Sequence, residues 1–232
     1  MLKCDFHLHV NEDPLDHIKY SAEELVDCAV KQGFDVLAIT CHDHVYPVEK
    51  IRKYAASKGI IMIQGAEKTL QEKHVLMYNI TQDDLEKTKT FDDLRKLRKR
   101  KNILVIAPHP YYPFRFCLKE RLEQNIDCFD GIEYSHAHIK GFNYNKKAVE
   151  VGKKHGKPLV GMSDTHHLFQ FGTTYSMVDS KKTPDAVMAA IKQGKVKYCS
   201  PPLSFTKAAR IFCWVAKPIV RKLFFGPSRK HL

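Results

Sequence analysis

Short apolar runs alternate with helical segments along most of this chain. The runs have the length of buried strands, and they occupy residues 4–10, 35–40, 60–64, 75–80, 103–107, 131–134, 158–162 and 175–178. Alternation at this spacing favours a parallel sheet, either open or closed into a barrel, in an α/β domain. In both arrangements ligands bind at the carboxyl ends of the strands.

The helices between the runs have recognisable ends. Ser21 and Glu24 form a capping-box pattern, and the helix that it predicts ends at Gly33. We predict further helices at 91–100, 143–155 and 184–193, with Gly156 and Gly194 as stop positions. The 232 residues are enough for one large domain, which we place at 1–200.

The positive charge of the chain lies mainly near its carboxyl end. The sequence has 38 basic and 26 acidic residues, a net charge of +12. Ten of the basic residues and none of the acidic ones follow Asp185, so residues 1–185 carry only about +2. A composition break at Pro201 and Pro202 therefore separates the domain from a basic tail at 201–232.

The tail has the pattern of a basic amphipathic helix. Apolar residues follow helical spacing from Lys207 to Leu223, and basic residues form a separate stripe. Such a helix can dock through residues 207–230 on an anionic membrane surface or on nucleic acid. The alternative is that its apolar face packs against the domain and its charges are solvated.

Cysteine usage and the amino terminus indicate a cytoplasmic protein, with peripheral membrane attachment through the tail left open. The seven cysteines are scattered without a CxxC pair, which predicts neither a disulfide framework nor a cysteine-built zinc site. The first residues resemble no signal peptide, and no apolar run reaches about 18 residues, the length of a membrane span.

Histidines and carboxylates gather where the predicted strands end. His7 and His9 stand two residues apart on the first strand, so their side chains share one face. Asp164 and His166 repeat that spacing after the strand at 158–162. Four more candidates lie at or next to the ends of other strands: His42, Glu67, His74 and His109. Imidazole and carboxylate without thiolate suit Zn²⁺, Mn²⁺ or Fe²⁺, and one carboxylate can bridge two ions.

The same positions carry a family resemblance. The matching stretches are DFHLH at 5–9, LAITCHD at 37–43, GAE at 65–67, His74 before Val-Leu, PHP at 108–110 and SDTH at 163–166. In this order they resemble the PHP family, named for polymerase and histidinol phosphatase domains, over about residues 4–180. The resemblance implies a distorted (β/α)7 barrel with two or three divalent metal ions at the strand ends.

The resemblance also implies a ligand set. One ion would be held by His7, His9, Glu67 and Asp164, and Glu67 would bridge to a second ion at His74 and His109. A third would use His42, His166 and one residue of the segment after His9, for which we predict His17, with Asp13 as the alternative. The family usually has Thr-Asp-His where this chain has Thr-Cys-His at 40–42, so a carboxylate is replaced by Cys41.

The activity that the resemblance implies is metal-dependent phosphoester hydrolysis. Catalytic roles would belong to Glu67, Asp164 and His166, and the substrate would be a small phosphomonoester or a nucleotide or oligonucleotide phosphoester. Candidate substrate contacts beside the ligands are Arg115, His138 and His167, followed by Lys68, His44 and His136. The alternative function is a catalytically idle metal-binding module that docks through its tail. We predict no obligate protein partner.

Overall fold

The computed structural model describes residues 1–211 and 213. Its centre is one nine-stranded sheet with the order β7-β6-β5-β4-β3-β2-β1-β8-β9. The strands are β1 (Leu2–Leu8), β2 (Val36–Ile39), β3 (Ile61–Leu70), β4 (Lys73–Tyr78), β5 (Leu104–Ala107), β6 (Gly131–Ser135), β7 (Leu159–Met162), β8 (Tyr175–Val178) and β9 (Val196–Cys199).

The sheet is mixed. The predicted parallel pairing is found for β1, β2 and β3 and again for β5, β6 and β7, whereas β4, β8 and β9 pair antiparallel with their neighbours. The reversal at β4 comes from a tight hairpin in which Gln71 and Glu72 both have positive φ. Neither residue type signals such a turn, so the sequence did not predict the change of direction.

The two ends of the sheet approach each other, so the sheet is nearly closed. Gly161 of β7 makes this possible, because a Cβ there would lie 2.5 Å from the carbonyl oxygen of Tyr175 and 2.8 Å from Cβ of Tyr198. Ser176 donates a hydrogen bond to the Gly161 carbonyl, and Tyr134 of β6 stacks on Tyr198 of β9. The result is a barrel-like sheet surrounded by helices.

Seven α-helices connect the strands. They are α1 (Ala22–Lys31), α2 (Glu49–Ser57), α3 (Gln82–Lys87), α4 (Phe91–Arg100), α5 (Glu120–Gln124), α6 (Asn145–His155) and α7 (Pro184–Lys192). The capping box of Ser21 and Glu24 is present at α1, and Gly156 ends α6 in the left-handed conformation. A further helical segment covers 205–211. The remainder of the predicted basic helix, residue 212 and residues 214–232, lies outside the described residues.

The helices pack their apolar faces on the sheet. Leu25, Val26 and Ala29 of α1 are fully buried, and Leu94 of α4 joins the cluster around Phe129. Over residues 1–211 and 213, no helix is long and apolar enough to cross a membrane. The packing leaves the carboxyl ends of the parallel strands as one rim, where the polar candidates of the sequence lie.

Candidate metal centre

Glu67 of β3 stands at the centre of the histidine cluster and is 1% exposed. Its Oε2 lies 3.2 Å from Nε2 of His7, 3.5 Å from Nε2 of His9 and 3.2 Å from Nε2 of His42. Its Oε1 faces the other way, 2.7 Å from Nδ1 of His74 and 3.2 Å from Nε2 of His109. The two oxygens of one carboxylate therefore address two groups of imidazoles.

The reversed strand β4 explains how His74 reaches this rim. An antiparallel strand begins where its parallel neighbours end, and His74 stands near the start of β4, opposite Thr69 of β3. The ring of Phe116 stacks on His74, with 4.4 Å between ring centroids. His74 is thus fixed on the same side of Glu67 as His109, which follows β5.

Asp164 closes the cluster from the loop after β7. Its Oδ1 lies 3.4 Å from Nε2 of His7, 3.4 Å from Nε2 of His9 and 3.4 Å from Nδ1 of His166. Asp164 has a φ of 45°, and His109 has a φ of 27°. Such backbone conformations cost energy for residues other than glycine, and they cluster at functional sites. Here they belong to two candidate ligands, of which Asp164 contacts His7 and His9 and His109 contacts Glu67.

Hydrogen bonds behind the rings orient four of the imidazoles. Nδ1 of His7 contacts Glu133 Oε2 at 2.9 Å, and Nδ1 of His109 lies 3.4 Å from the Cys117 thiol. These partners direct Nε2 of both rings toward Glu67. Outer partners of this kind fix the tautomer and orientation of metal-binding histidines. Asp13 plays the same part for His9 and His42.

One carboxylate oxygen of Asp13 contacts the rings of two histidines. Its Oδ2 lies 2.8 Å from Nδ1 of His9 and 3.0 Å from Nδ1 of His42, and it also accepts a hydrogen bond from the His42 backbone N–H at 2.9 Å. Asp13 thereby supplies a carboxylate next to His42 although Cys41, which is fully buried, stands where the family usually has one.

The segment after β1 presents acidic residues to the cluster, and the predicted ligand His17 is exposed. Oδ2 of Asp16 lies 2.9 Å from Nε2 of His166 and 3.7 Å from Nδ1 of His42. The physical reason is a turn held by Asp13, whose Oδ1 accepts hydrogen bonds from the backbone N–H groups of Leu15 and Asp16. The structure therefore brings Asp13 and Asp16 to the place for which the sequence predicted His17.

The carboxylates set the electrostatics of the site. Burial opposes protonation of His7, but Asp164 and Glu67 raise its pKa well above the usual value. At His42 burial also opposes the charge, and Asp13 with Glu67 still raises the pKa to about 9. Conversely, the surrounding imidazoles hold the pKa of the buried Glu67 well below its usual range. Both carboxylates at the centre, Glu67 and Asp164, are ionised at neutral pH.

The donor set fits divalent metal ions. His9 Nε2 and Asp164 Oδ1 are buried and make no hydrogen bond within the described residues, although they lie inside the cluster. Buried polar atoms are rarely left unpaired, so these two atoms are the ones that a bound metal ion would contact. Four groups of three residues place their donor atoms within 4.8 Å of one another: His9, His42 and His166; His7, His109 and Asp164; His7, His9 and Glu67; and His42, Glu67 and His74.

The predicted substrate contacts do not all face the cluster. Arg115 pairs with Glu72 at 2.7 Å, and both side chains are largely exposed. Lys68 pairs with Asp43 at 2.9 Å. His138 is buried, and its Nε2 lies 3.0 Å from the Ser200 hydroxyl.

The other histidine candidates differ in burial. His44 is half-buried, as is His167, which follows His166 directly and stacks on Phe169. His136 is buried beside Gln170, whose side-chain amide donates to its Nε2 at 3.4 Å, and burial lowers its pKa to about 4.

Sequence reasoning missed three residues that act on the histidines. Glu133 is a charged residue inside the buried strand β6. Because charged side chains are rarely buried without a partner, its position in the sequence could have indicated a buried contact. Asp16 lies in the irregular segment between β1 and α1, where no periodic pattern indicates which side chains face the site. Cys117 lies eight residues after His109 and gave no signal at all, because a single buried thiol usually serves only packing.

Known proteins are similar to this chain in sequence and in fold. An uncharacterized protein of Methanocaldococcus jannaschii, MJ1587, is 26% identical over 166 residues, which cover 66% of this chain and 95% of the relative. Among solved structures, a two-domain protein of Bacteroides vulgatus containing a predicted PHP-like metal-dependent phosphoesterase superposes with a TM-score of 0.66 at 20% identity, over 91% of this chain and 68% of that one. The lesion-specific endonuclease PfuEndoQ of Pyrococcus furiosus gives 0.57 at 12% identity, over 91% and 66%.

Family models cover most of the barrel. The PHP domain model matches residues 5–163, and the PHP-associated model matches residues 142–196. The matched region contains Glu67 and three of the histidines that the geometry groups around it, His7, His9 and His109. The predicted distorted barrel is thus confirmed, and this chain belongs to the PHP domain family.

Proposed function

We propose that this protein is a metal-dependent phosphoesterase that hydrolyses a phosphomonoester or a nucleotide or oligonucleotide phosphoester with an activated water. One observation carries the proposal. The two oxygens of Glu67 face imidazole nitrogens of His7, His9 and His42 on one side and of His74 and His109 on the other. A bridging carboxylate between two groups of ligands is the arrangement of multinuclear hydrolytic sites.

The chain offers three places for an ion. The first would lie among His7, His9, Glu67 and Asp164, and the second among Glu67, His74 and His109. The third would lie between His42 and His166, where Asp16 is the nearest additional carboxylate and Asp13 is already engaged by His9 and His42. Divalent Zn, Mn or Fe bound there would lower the pKa of a water molecule and neutralise charge on the phosphoryl oxygens.

The surrounding residues would hold and orient the reactants. Asp164 keeps an ionised carboxylate, and its Oδ1 can accept a hydrogen bond from the attacking water. Glu67 fixes the spacing between the two sides of the site because it is buried and contacted from both. His166 lies at the outer edge beside the carboxylates of Asp164 and Asp16, where it would help to hold an ion that neutralises charge on the phosphoryl group.

The relatives support phosphoester chemistry without fixing the substrate. The names of two structural neighbours refer to a metal-dependent phosphoesterase and to an endonuclease. Both activities break a phosphorus–oxygen bond. We therefore propose phosphoester hydrolysis as the reaction of this chain.

Hydrolysis of an aryl phosphate by the purified full chain, with Zn²⁺, Mn²⁺ and Fe²⁺ in turn, tests the proposal. We expect turnover that Asp164→Asn reduces by at least about 100-fold, since the variant removes charge at the centre of the site. Asp185→Asn, on the exposed start of α7, is the matched control and should keep full activity. Stoichiometric metal binding without turnover of any phosphoester tested would refute the enzyme and favour the idle module.

A further inference from the structure

His136 stands at the same rim as the metal centre, between two of the loops that carry it. β6 lies between β5 and β7 in the sheet and is parallel to both, so the carboxyl ends of the three strands are neighbours. His136 is the first residue after β6, whereas His109 follows β5 and Asp164 follows β7. The hydroxyl of Tyr112, in the loop of His109, donates to the carbonyl of Ala137 at 3.0 Å. The chain therefore holds His136 between two candidate ligands.

Gln170 determines which ring nitrogen of His136 carries the proton. Oε1 of Gln170 accepts hydrogen bonds from the backbone N–H groups of His166 and His167 at 3.0 and 2.7 Å. The amide has only this orientation, because the reverse one would set its NH₂ against two donors. Nε2 of Gln170 then donates to Nε2 of His136 at 3.4 Å, so the proton of the neutral ring is on Nδ1. Burial lowers the pKa of His136 to about 4, which keeps the ring neutral at pH 7.

The N–H group at Nδ1 of His136 is buried without an acceptor. His136 is 4% exposed, and its Nδ1 makes no hydrogen bond to any part of the chain that the structure describes. Buried donors of this kind are unfavourable and rare in folded proteins. A protonated nitrogen has no lone pair for a metal ion, which separates it from the unpaired Nε2 of His9 and Oδ1 of Asp164. Nδ1 of His136 therefore fits a ligand that brings an oxygen acceptor to the rim.

We propose that the Nδ1–H group of His136 donates a hydrogen bond to the leaving-group oxygen of the phosphoester. This inference rests on the proposed function. The attacking water and the leaving oxygen stand in line on opposite sides of phosphorus. In the proposed function the attacking water contacts Asp164, and bound metal ions neutralise the phosphoryl oxygens. The leaving oxygen is then the atom that still requires a donor, and a donor fixed in place stabilises the charge that develops on it.

The hydrogen bond of His136 involves no transfer of its proton. The oxygen of the attacking water bonds to phosphorus and releases a proton to the solvent. The bond from phosphorus to the leaving oxygen breaks, and that oxygen keeps the electron pair until it takes a proton from the solvent. His136 stays neutral throughout, so its contribution depends on how much negative charge the leaving oxygen carries.

Two substitutions of His136 and two aryl phosphates test this role on the metal-loaded full chain. His136→Asn keeps an amide N–H near the place of Nδ1, whereas His136→Gln keeps one only near the place of Nε2. On phenyl phosphate, His136→Gln should lower kcat/KM about 100-fold, as expected for one donor to a developing oxyanion, and His136→Asn at most about ten-fold. On para-nitrophenyl phosphate, whose leaving group delocalises its charge, His136→Gln should cost at most about ten-fold. His155→Gln, at the end of α6, is the matched control and should change neither rate.

A measurement on the wild-type protein tests the tautomer without any turnover. In nitrogen-15 spectra of the zinc-loaded chain, with the signals of His136 identified by their loss in His136→Asn, we expect a neutral ring protonated at Nδ1. A proton at Nε2 or a charged ring would overturn the proposal.

The kinetic outcomes separate this role from the proposed function. Equal rates of His136→Asn and His136→Gln, equal losses on the two aryl phosphates, or the same loss in His155→Gln would overturn the role of His136. Turnover by the wild-type protein would in each of those cases leave the proposed function standing. A wild-type protein that hydrolyses no phosphoester would refute the proposed function and the role of His136 with it.

Discussion

Replacement of Asp13 by asparagine tests whether one carboxylate orients two of the candidate ligands. In the structure Asp13 Oδ2 faces three donors, Nδ1 of His9, Nδ1 of His42 and the His42 backbone N–H, at 2.8 to 3.0 Å. An amide NH₂ at that place cannot accept from them. If the side chain flips instead, Oδ1 no longer serves the backbone N–H groups of Leu15 and Asp16.

The expected loss of metal affinity follows from the number of histidine rings that Asp13 contacts. Removing the outer partner of one metal-binding histidine typically costs 10- to 100-fold in affinity, and two rings depend on Asp13, so we expect about 100-fold. The metal-free protein should also lose roughly 2 to 3 kcal/mol of unfolding free energy, because at least two buried donors lose a charged acceptor.

Competition with a chromophoric chelator measures the metal affinity, and chemical unfolding in excess chelator measures the stability of the metal-free protein. His17→Ala is the control, because the His17 side chain is exposed and should leave both quantities unchanged. Unaltered metal affinity of Asp13→Asn would refute the orienting role. A large loss in His17→Ala would restore His17 as the ligand that the sequence predicted.

Three further predictions address the orientation, charge and closure of the site. Glu133→Gln should weaken metal binding about 10-fold, because the acceptor of the 2.9 Å contact to Nδ1 of His7 loses its negative charge; unchanged chelator competition would contradict it. Metal binding at pH 7 should release protons and strengthen toward pH 9, since the raised pKa of His42, about 9, keeps a proton that the metal must displace; equal calorimetric heats in two buffers of different ionisation enthalpy would argue against this. Gly161→Ala should lower the unfolding free energy by about 2 kcal/mol, because its Cβ would meet the Tyr175 carbonyl at 2.5 Å, and a chemical denaturation midpoint equal to that of the wild type would disprove the close approach.

Local signals in the sequence predicted most of the elements. The eight apolar runs correspond to β1 to β8, and the capping residues at Ser21 and Gly156 stand at the helix ends that they indicated. Caps and periodicity act within a few residues, so the sequence displays them directly. The strand β9 was missed, since its alternation of Val196, Lys197 and Tyr198 is short and partly exposed.

The ligand types could be predicted for a similar reason. His7 and His9 share a face because successive strand residues alternate, and strand ends of an α/β sheet converge on one rim whatever the loops do. These two facts led from the sequence to the histidines that surround Glu67.

Tertiary structure alone decided which residues support those ligands. Glu133 reaches His7 across 126 positions of the chain, and Asp16 reaches His166 across 150. No local pattern encodes such a contact, because it depends on strand order and on the path of an irregular loop. The sequence by itself determined the chemistry of the rim, and the fold decided which of Asp13, Asp16 and His17 faces it, since a turn closed by side-chain hydrogen bonds sets the direction of each side chain.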